Sequence, residues 1–232
     1  MKQTLKVTGV LSDPTRFSIY QFMVKKHKEV NVTEIANEFG IHPNVARLHL
    51  SKLEDIQMVE SYSEKTGRGG RPSRRYKLSD EVIELHFPHR DYKLLSSIAL
   101  ESFINLGEPG KKALYQTGYQ YGANIMRQYH EQTSTVWLTT EQKLTILRDA
   151  GTMLGMYPEF EYSEKAGSVS FQINNCPFKE MVHQNHTMVC QMHYAFLKGM
   201  FEALFDHVEL TEMENMFSGC ESCTYVAKLS LV

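Results

Sequence analysis

Four cysteines lie in the last quarter of the chain, at Cys176, Cys190, Cys220 and Cys223, with the spacing C-x13-C-x29-C-x2-C. The last two form a C-x-x-C turn, which commonly offers two thiolate ligands to one metal. Cys190 falls near a predicted helix start, where the helix dipole favours a thiolate. We therefore predict that these four residues bind a metal or a metal-containing cofactor, although their spacing alone does not force them to converge.

Other uses of the same cysteines remain open. Ordinary buried thiols and a C-x-x-C redox dithiol are both alternatives, but a dithiol would leave Cys176 and Cys190 unexplained. His193 follows Cys190 by one helical turn, so both side chains could face one site. A mixed Cys and His site would suit zinc as well as iron.

The first part of the chain carries a helix-turn-helix pattern. Asp13-Pro14 predicts a helix start, because a carboxylate caps the helix and proline suits its first turn. A short helix capped by Thr33 ends at Gly40, and a longer one is predicted from Asn44 to about Gln57. Two helices joined by a tight glycine-containing turn are typical of DNA-binding proteins.

Helical periodicity separates two faces of the second helix of this motif. Ala46, Leu50 and Leu53 recur at spacings of three and four residues, with Gln57 continuing their row, which predicts a buried face. The other face is predicted to contact DNA bases and backbone. Its candidate DNA-binding residues are Asn44, Arg47, Leu48, Ser51 and Lys52.

A basic, glycine-rich turn follows and is predicted to form the wing of a winged helix-turn-helix. Residues 58–65 and 74–79 have strand-like patterns on either side of this turn. Arginines in such a turn would attract phosphates, and one of them could enter a minor groove. The candidate DNA-binding arginines are Arg68, Arg71, Arg74 and Arg75.

The remaining sequence predicts an α+β fold class for the whole chain. Residues 1–80 form the winged helix-turn-helix, residues 81–90 a linker, and residues 91–232 an α+β sensor and dimerisation domain. Two early apolar helices of that domain are candidates for a homodimer interface, or equally for its core.

Composition and charge limit the classes of function. The chain has no apolar run of the roughly 18 residues that cross a bilayer and no signal-peptide core, so we expect a cytoplasmic protein whose thiols stay reduced. Residues 1–80 hold 14 Lys and Arg against 9 Asp and Glu, whereas the remainder is acidic, so only the first part is expected to meet a polyanion. The sequence contains no G-x-S-x-G, P-loop or dinucleotide motif, and we do not expect an enzyme.

Several of these segments resemble a known family. The run GIHPNVARLHLSKLEDIQMV from Gly40, followed by GRGGRPSRRYKLS from Gly67, resembles winged-helix repressors related to the ArsR and DeoR groups. Together with the segments NCPF and GCESC, it is similar to the SufR-type repressors of the suf iron–sulfur assembly operon, over nearly the whole chain.

The resemblance implies a homodimeric, redox-sensing repressor of iron–sulfur assembly genes that binds a double-stranded operator. It also implies a [4Fe-4S] or [2Fe-2S] cluster held by Cys176, Cys190 and one or both of Cys220 and Cys223. A zinc-containing repressor and a thiol redox protein are the alternatives.

Overall fold

The computed structural model describes residues 2–26, 28–64, 73–80, 82–83, 85, 88, 90–132 and 138–229. The chain divides into two compact units, Met1–Arg90 and Asp91–Val232. The fold class is the predicted one, a helix-turn-helix unit followed by an α+β unit.

The first unit contains four helices and a small sheet within its described residues. Its elements are α1 (Lys2–Leu11), α2 (Pro14–Lys26), β1 (Val30–Asn31), α3 (Val32–Phe39), α4 (Pro43–Glu54), β2 (Val59–Glu64) and β3 (Ser73–Leu78). The sequence analysis missed α1 and β1. The strands form an antiparallel sheet in the order β1-β3-β2.

Local capping fixes the helix-turn-helix geometry. Asp13 accepts the backbone N–H of Arg16 at the start of α2, as the sequence predicts. The capping residue of α3 is Asn31 rather than the predicted Thr33, and Asn31 forms a reciprocal capping box with Glu34. Gly40 ends α3 in the left-handed conformation, with φ of 60°, which a glycine adopts without strain.

The second helix of the motif is shorter than predicted. It ends at Glu54 with Asp55 as its C-cap, not at Gln57. Gln57 instead has φ of 62°, a left-handed conformation that turns the chain towards β2. Its side chain is exposed, so Gln57 does not continue the buried row of Ala46.

The second unit contains five helices and one four-stranded sheet in its described residues. The elements are α5 (Tyr92–Asn105), α6 (Glu108–Gln132), α7 (Thr140–Met153), β4 (Pro158–Ser163), β5 (Ser168–Ile173), α8 (Lys179–Val182), α9 (His186–Glu202), β6 (Val208–Glu214), a 3-10 turn (Met216–Ser218) and β7 (Cys223–Leu229). The sequence pattern predicts a helix over residues 189–205, three residues later than α9, and gives no sign of β6. None of the described helices is long and apolar enough to span a membrane.

The antiparallel sheet of the second unit has the order β4-β5-β7-β6. One face packs on α9, where Phe171 stacks on Phe201 with ring centroids 4.9 Å apart. Residues Ile173 and Cys223 are directly opposite on β5 and β7, so the end of β5 lies beside the start of β7. An irregularity between Glu212 and Glu214 interrupts the pairing of edge strand β6 with β7.

Helices α6 and α9 touch through their backbones. A Cβ atom added to Gly122 would lie 2.0 Å from the carbonyl oxygen of Phe196, and one added to Gly199 would lie 2.1 Å from that of Tyr119. Only glycine permits so close an approach. This contact holds α9, which carries Cys190 and His193, against α6.

Candidate nucleic-acid interface and cysteine site

The recognition helix α4 separates buried from exposed residues as the sequence predicts. Ala46, Leu50 and Leu53 are completely buried in the core of the first unit. Asn44, Arg47, Leu48 and Lys52 are exposed, and Ser51 is half-buried. A polar helical face therefore rests on a rigid apolar support.

The exposed face of α4 offers both polar and apolar groups. The Arg47 guanidinium lies 3.4 Å from the amide oxygen of Asn44, one turn earlier. Leu48 is 54% exposed and Val45 is 41% exposed, although both are apolar. The sequence analysis overlooked Val45, whose spacing of three residues from Leu48 places both on one face.

Two wing arginines are held by carboxylates of the first unit. Arg74 forms two 2.9 Å hydrogen bonds to the Glu54 carboxylate at the end of α4. Arg75 bonds to Glu64 at 2.9 Å and approaches Glu34 at 3.4 Å. The hydrogen bond to Glu64 is the main cause that raises the pKa of Arg75. These pairings link β3 to α3, α4 and β2 and partly neutralise both arginines.

Arg68 and Arg71, the other two predicted wing residues, lie outside the described residues.

The second unit brings the predicted cysteines into one neighbourhood. Cys176 follows β5, Cys190 lies on α9, and Cys223 begins β7. Cys176 and Cys223 are buried, whereas Cys190 and Cys220 are half-buried, and all four are free thiols. Cys176, Cys190 and Cys223 lie close enough for charge on one to affect the others, and Cys220 similarly affects Cys223.

Polar groups of the chain surround these thiols. The backbone N–H of Met216 donates to Cys223 Sγ at 3.4 Å. The Asn215 side chain hydrogen-bonds Cys190, and its Nδ2 donates to the Glu212 carboxylate at 3.1 Å. Sequence reasoning missed Asn215 and Glu212, because nothing in their spacing relates them to the cysteines.

His193 is completely enclosed beside Cys176. Its Nδ1 lies 3.8 Å from Cys176 Sγ, and its Nε2 lies 3.3 Å from Met156 Sδ. The Phe178 ring packs edge-on against the imidazole. Burial lowers the pKa of His193 to about 4, so the ring is neutral at pH 7. His193 thus lies beside Cys176.

Burial keeps the thiols protonated. It raises the pKa of Cys176 to about 12 and is also the largest cause that raises the pKa of Cys190 and Cys223. Among the described residues, no group of three or more His, Cys, Asp or Glu is arranged to hold a metal ion. The soft donors and their proximity nevertheless fit a thiolate-bound cluster, whose binding would require the thiols to lose protons and move together.

Comparison with known proteins supports the assignment of the first unit. Residues 11–62, from the end of α1 to β2, match the family model of a helix-turn-helix domain. This match supports a DNA-binding transcriptional regulator. No curated protein matches the chain significantly.

Two solved structures are similar to parts of the chain. The phenol-responsive sensory domain of the transcription activator PoxR, in complex with phenol, is 18% identical with a TM-score of 0.46, and the match covers 79% of this chain and 89% of that one. Subunit 3 of a trafficking protein particle complex from Naegleria fowleri, covalently bound to palmitic acid, is 13% identical with a TM-score of 0.40, over 60% and 97% of the two chains.

The two sites differ in what they can do chemically. The exposed face of α4 presents a guanidinium, an amide and apolar side chains, which are groups that suit base edges and methyl groups. A buried thiol of the cysteine site would have to lose its proton before it could bind a soft metal or react with an oxidant.

Proposed function

We propose that the chain is a transcriptional repressor that reads an operator with α4 and responds to an iron–sulfur cluster bound in the second unit. The observation that carries the DNA-binding part is the division of α4 into a fully buried apolar face and an exposed face with Asn44 and Arg47. The family match over residues 11–62 supports the same conclusion.

In this proposal Arg47 is the main base-reading residue. The Asn44 amide oxygen orients its guanidinium, which suits the O6 and N7 atoms of guanine. Arg74 and Arg75 have a different role, because their guanidinium groups are paired with Glu54 and Glu64 and support the packing of β3. Contacts to phosphates are then left to the predicted wing residues Arg68 and Arg71 and to Lys52, whose contact with the Asp55 carboxylate, at 3.5 Å, is longer than the 2.9 Å contacts of Arg74 and Arg75.

The DNA-binding proposal is tested with an operator selected from a random duplex library. Arg47→Ala should weaken binding to that operator by about 5- to 150-fold, since a bidentate arginine–guanine contact contributes about 1–3 kcal/mol. Arg127→Ala is a matched control, because Arg127 makes the same hydrogen bond to an asparagine three residues earlier, but on α6. Equal affinities for wild type and both variants in fluorescence anisotropy would contradict the role of α4.

The cysteine part of the proposal rests on the proximity of three thiols from different elements. Cys176, Cys190 and Cys223 would hold the cluster, with Cys220 as the additional or spare ligand. A bound cluster supplies a redox- and oxygen-sensitive link between these elements. The chain contributes Asn215 and the Met216 N–H, which can hydrogen-bond ligand sulfurs and so tune their basicity.

A zinc site is the second candidate, favoured by His193 beside Cys176, since zinc prefers Cys and His donors. Anaerobic purification with absorption spectra and with iron, sulfide and zinc assays separates the candidates. Brown protein containing iron and sulfide, with both lost in Cys176→Ser, would support the cluster. Colourless protein with one zinc per chain would replace it with the zinc site, and metal-free protein with an oxidisable C-x-x-C would favour a thiol redox protein.

A homodimer belongs to the same proposal. Helix-turn-helix regulators present two recognition helices to half-sites about one DNA turn apart, roughly 34–36 Å, and a two-fold dimer satisfies this spacing. Cluster binding would repress by favouring the dimer geometry that matches the operator. Footprinting on the selected operator should then show two protected half-sites related by two-fold symmetry.

A further inference from the structure

Helix α5 is apolar on two opposite faces. Its sequence, YKLLSSIALESFIN, contains only two charged residues, Lys93 and Glu101. One face is buried through Leu100, with Phe103 and Ile104 partly buried beside it. A helix with apolar residues on opposite faces is normally covered on both of them, so we expect a partner to cover the exposed face of α5.

The outer face of α5 is a continuous apolar row. Leu95, Ile98, Ser102 and Leu106 recur at spacings of three and four residues, and Leu94 lies beside Ile98. The four large residues among them are each more than half exposed. The Ser102 hydroxyl donates to the Ile98 carbonyl of the same helix at 2.8 Å, so its polar group is satisfied locally.

The inner face of α5 packs on the residues that surround the cysteine site. Leu100 shares a small hydrophobic cluster with Met188 and Val189 of α9, and Cys190 packs against that cluster. Phe178 and Phe217, which flank the cysteine-bearing segments, pack there too. Gln184 Nε2 also donates to Ser97 Oγ at 2.8 Å. A change in the position of Cys190 therefore alters the support under α5.

We propose that the outer face of α5 is the seam between two copies of this chain, and that its inner face couples this seam to the cysteine site. The proposal deepens the function proposed above and rests on it for the identity of the partner. A second copy fits because the row of Leu95, Ile98, Ser102 and Leu106 carries no charge. The exposed Glu101, three residues after Ile98, lies at the edge of this row, where it can stay in water when the row is covered.

The extent of the exposed face matches a dimer. Covering its large side chains on both copies would remove on the order of 1,000 Å² of surface from water, the lower limit for a specific interface. The helix also starts directly after the helix-turn-helix unit, at residue 92. A dimer formed through α5 therefore joins the chains next to the units that must reach two half-sites.

Sedimentation of the full chain, without DNA or metal, tests the seam. Wild type should be a dimer at micromolar concentration, whereas Leu95→Glu/Ile98→Glu should be a monomer with an unchanged circular dichroism spectrum. Met153→Glu is the control, because Met153 is 78% exposed, more than any other large apolar side chain described in the second unit, but lies on α7. A monomeric wild type, or a folded double variant that still dimerises, would overturn the proposal. If the double variant unfolds, Leu95→Arg alone is measured against the same criterion.

The coupling is tested by attaching a methylthio group to Cys190 with methyl methanethiosulfonate. This modification should change the dimer dissociation constant of wild type at least tenfold, and dithiothreitol should reverse it. Cys190→Ala, treated identically, should show no such change. Mass spectrometry verifies that Cys190 of wild type carries the methylthio group. An unchanged dimer dissociation constant in that modified wild type, or an equal change in treated Cys190→Ala, would overturn the coupling.

The dimer seam and the proposed DNA binding can fail independently of each other. If the chain dimerises through α5 but selects no duplex from a random library, the DNA-binding proposal fails while the seam stands. If it binds a half-site but sediments as a monomer, the seam fails while DNA binding stands.

Discussion

The recognition helix and the cysteine site treat water in opposite ways. The α4 helix places Asn44 and Arg47 in solvent and supports them with residues that are completely buried. The cysteine site withdraws Cys176 and Cys223 from solvent and keeps the thiols protonated. The side chains of the first site are accessible to a partner, whereas Cys176 and Cys223 of the second site are shielded from one.

This difference indicates a division of labour within one chain. If α4 binds DNA as proposed, its side chains are already in solvent, which suits rapid association. If the cysteines bind a cluster as proposed, buried thiols must first lose their protons, which would couple binding to a structural change. The two sites are best compared by substitutions that alter the packing of one unit and leave the other unit intact.

The largest effect is expected at the contact between α6 and α9. Gly199→Ala places a Cβ 2.1 Å from a backbone oxygen, so the helices must separate and the second unit should lose about 3 kcal/mol or more of its free energy of unfolding. Gly9→Ala in α1 is the control, because its Cβ would meet nothing within 4 Å and should stabilise the first unit by about 0.5–1 kcal/mol. Unchanged chemical denaturation of Gly199→Ala would contradict the tight contact.

A second prediction concerns the buried imidazole. The pKa of His193 is about 4 in the folded chain against an ordinary value of 6.5, so the unfolded chain binds the additional proton between these values. Stability from this residue is complete above pH 6.5 and falls by about 3 kcal/mol as the pH decreases to 4.

Denaturant unfolding of the metal-free protein at pH 7.5 and pH 4.5 measures this loss. The decrease should be smaller in His193→Gln by roughly 2–3 kcal/mol. His207→Gln, at an exposed histidine, should retain the pH dependence of wild type. Equal decreases in wild type and His193→Gln would show that the imidazole is accessible to protons in the folded state.

A smaller effect is expected from the two capping boxes, one in each unit. Asn31→Ala removes the cap of α3, and Thr139→Ala removes that of α7. Each should cost about 1 kcal/mol and raise amide hydrogen exchange in its own helix. Exchange followed by mass spectrometry should show that the Asn31 variant leaves α7 unchanged and that the Thr139 variant leaves α3 unchanged. Faster exchange in both helices from either change would remove the contrast between the units.

The smallest predicted effect concerns the apolar part of the recognition face. Leu48 is exposed where it can contact a thymine methyl group. Replacing the contacted thymine by deoxyuridine should weaken wild-type binding about fourfold, since one buried methyl contributes about 0.8 kcal/mol. Leu48→Ala should bind both duplexes equally. If Leu48→Ala still loses fourfold in affinity on this replacement, the methyl contact belongs to Val45 or another residue.

The faces of α4 could be predicted because they depend on local periodicity. Ala46, Leu50 and Leu53 recur every three or four residues, and helical geometry alone places them together. The end of this helix could not be predicted, because the left-handed conformation of Gln57 depends on the packing of the following strand.

The neighbourhood of the cysteines could not be derived from their spacing. It depends on the pairing of Ile173 with Cys223, which joins strands fifty residues apart in sequence. The alternation of apolar residues in β6 stops after Leu210, so the strand was missed, and with it Glu212 and Asn215. Long-range pairing is set by the whole sheet, and a local pattern carries little information about it.

The irregular edge strand β6 of the second unit's sheet affects how readily the protein aggregates. Edge strands expose backbone N–H and C=O groups that can recruit a strand of another molecule and start aggregation. The break in pairing between Glu212 and Glu214, with acidic side chains on β6, makes this edge a poor template. A cell can therefore accumulate the chain without fibrous self-assembly through this strand.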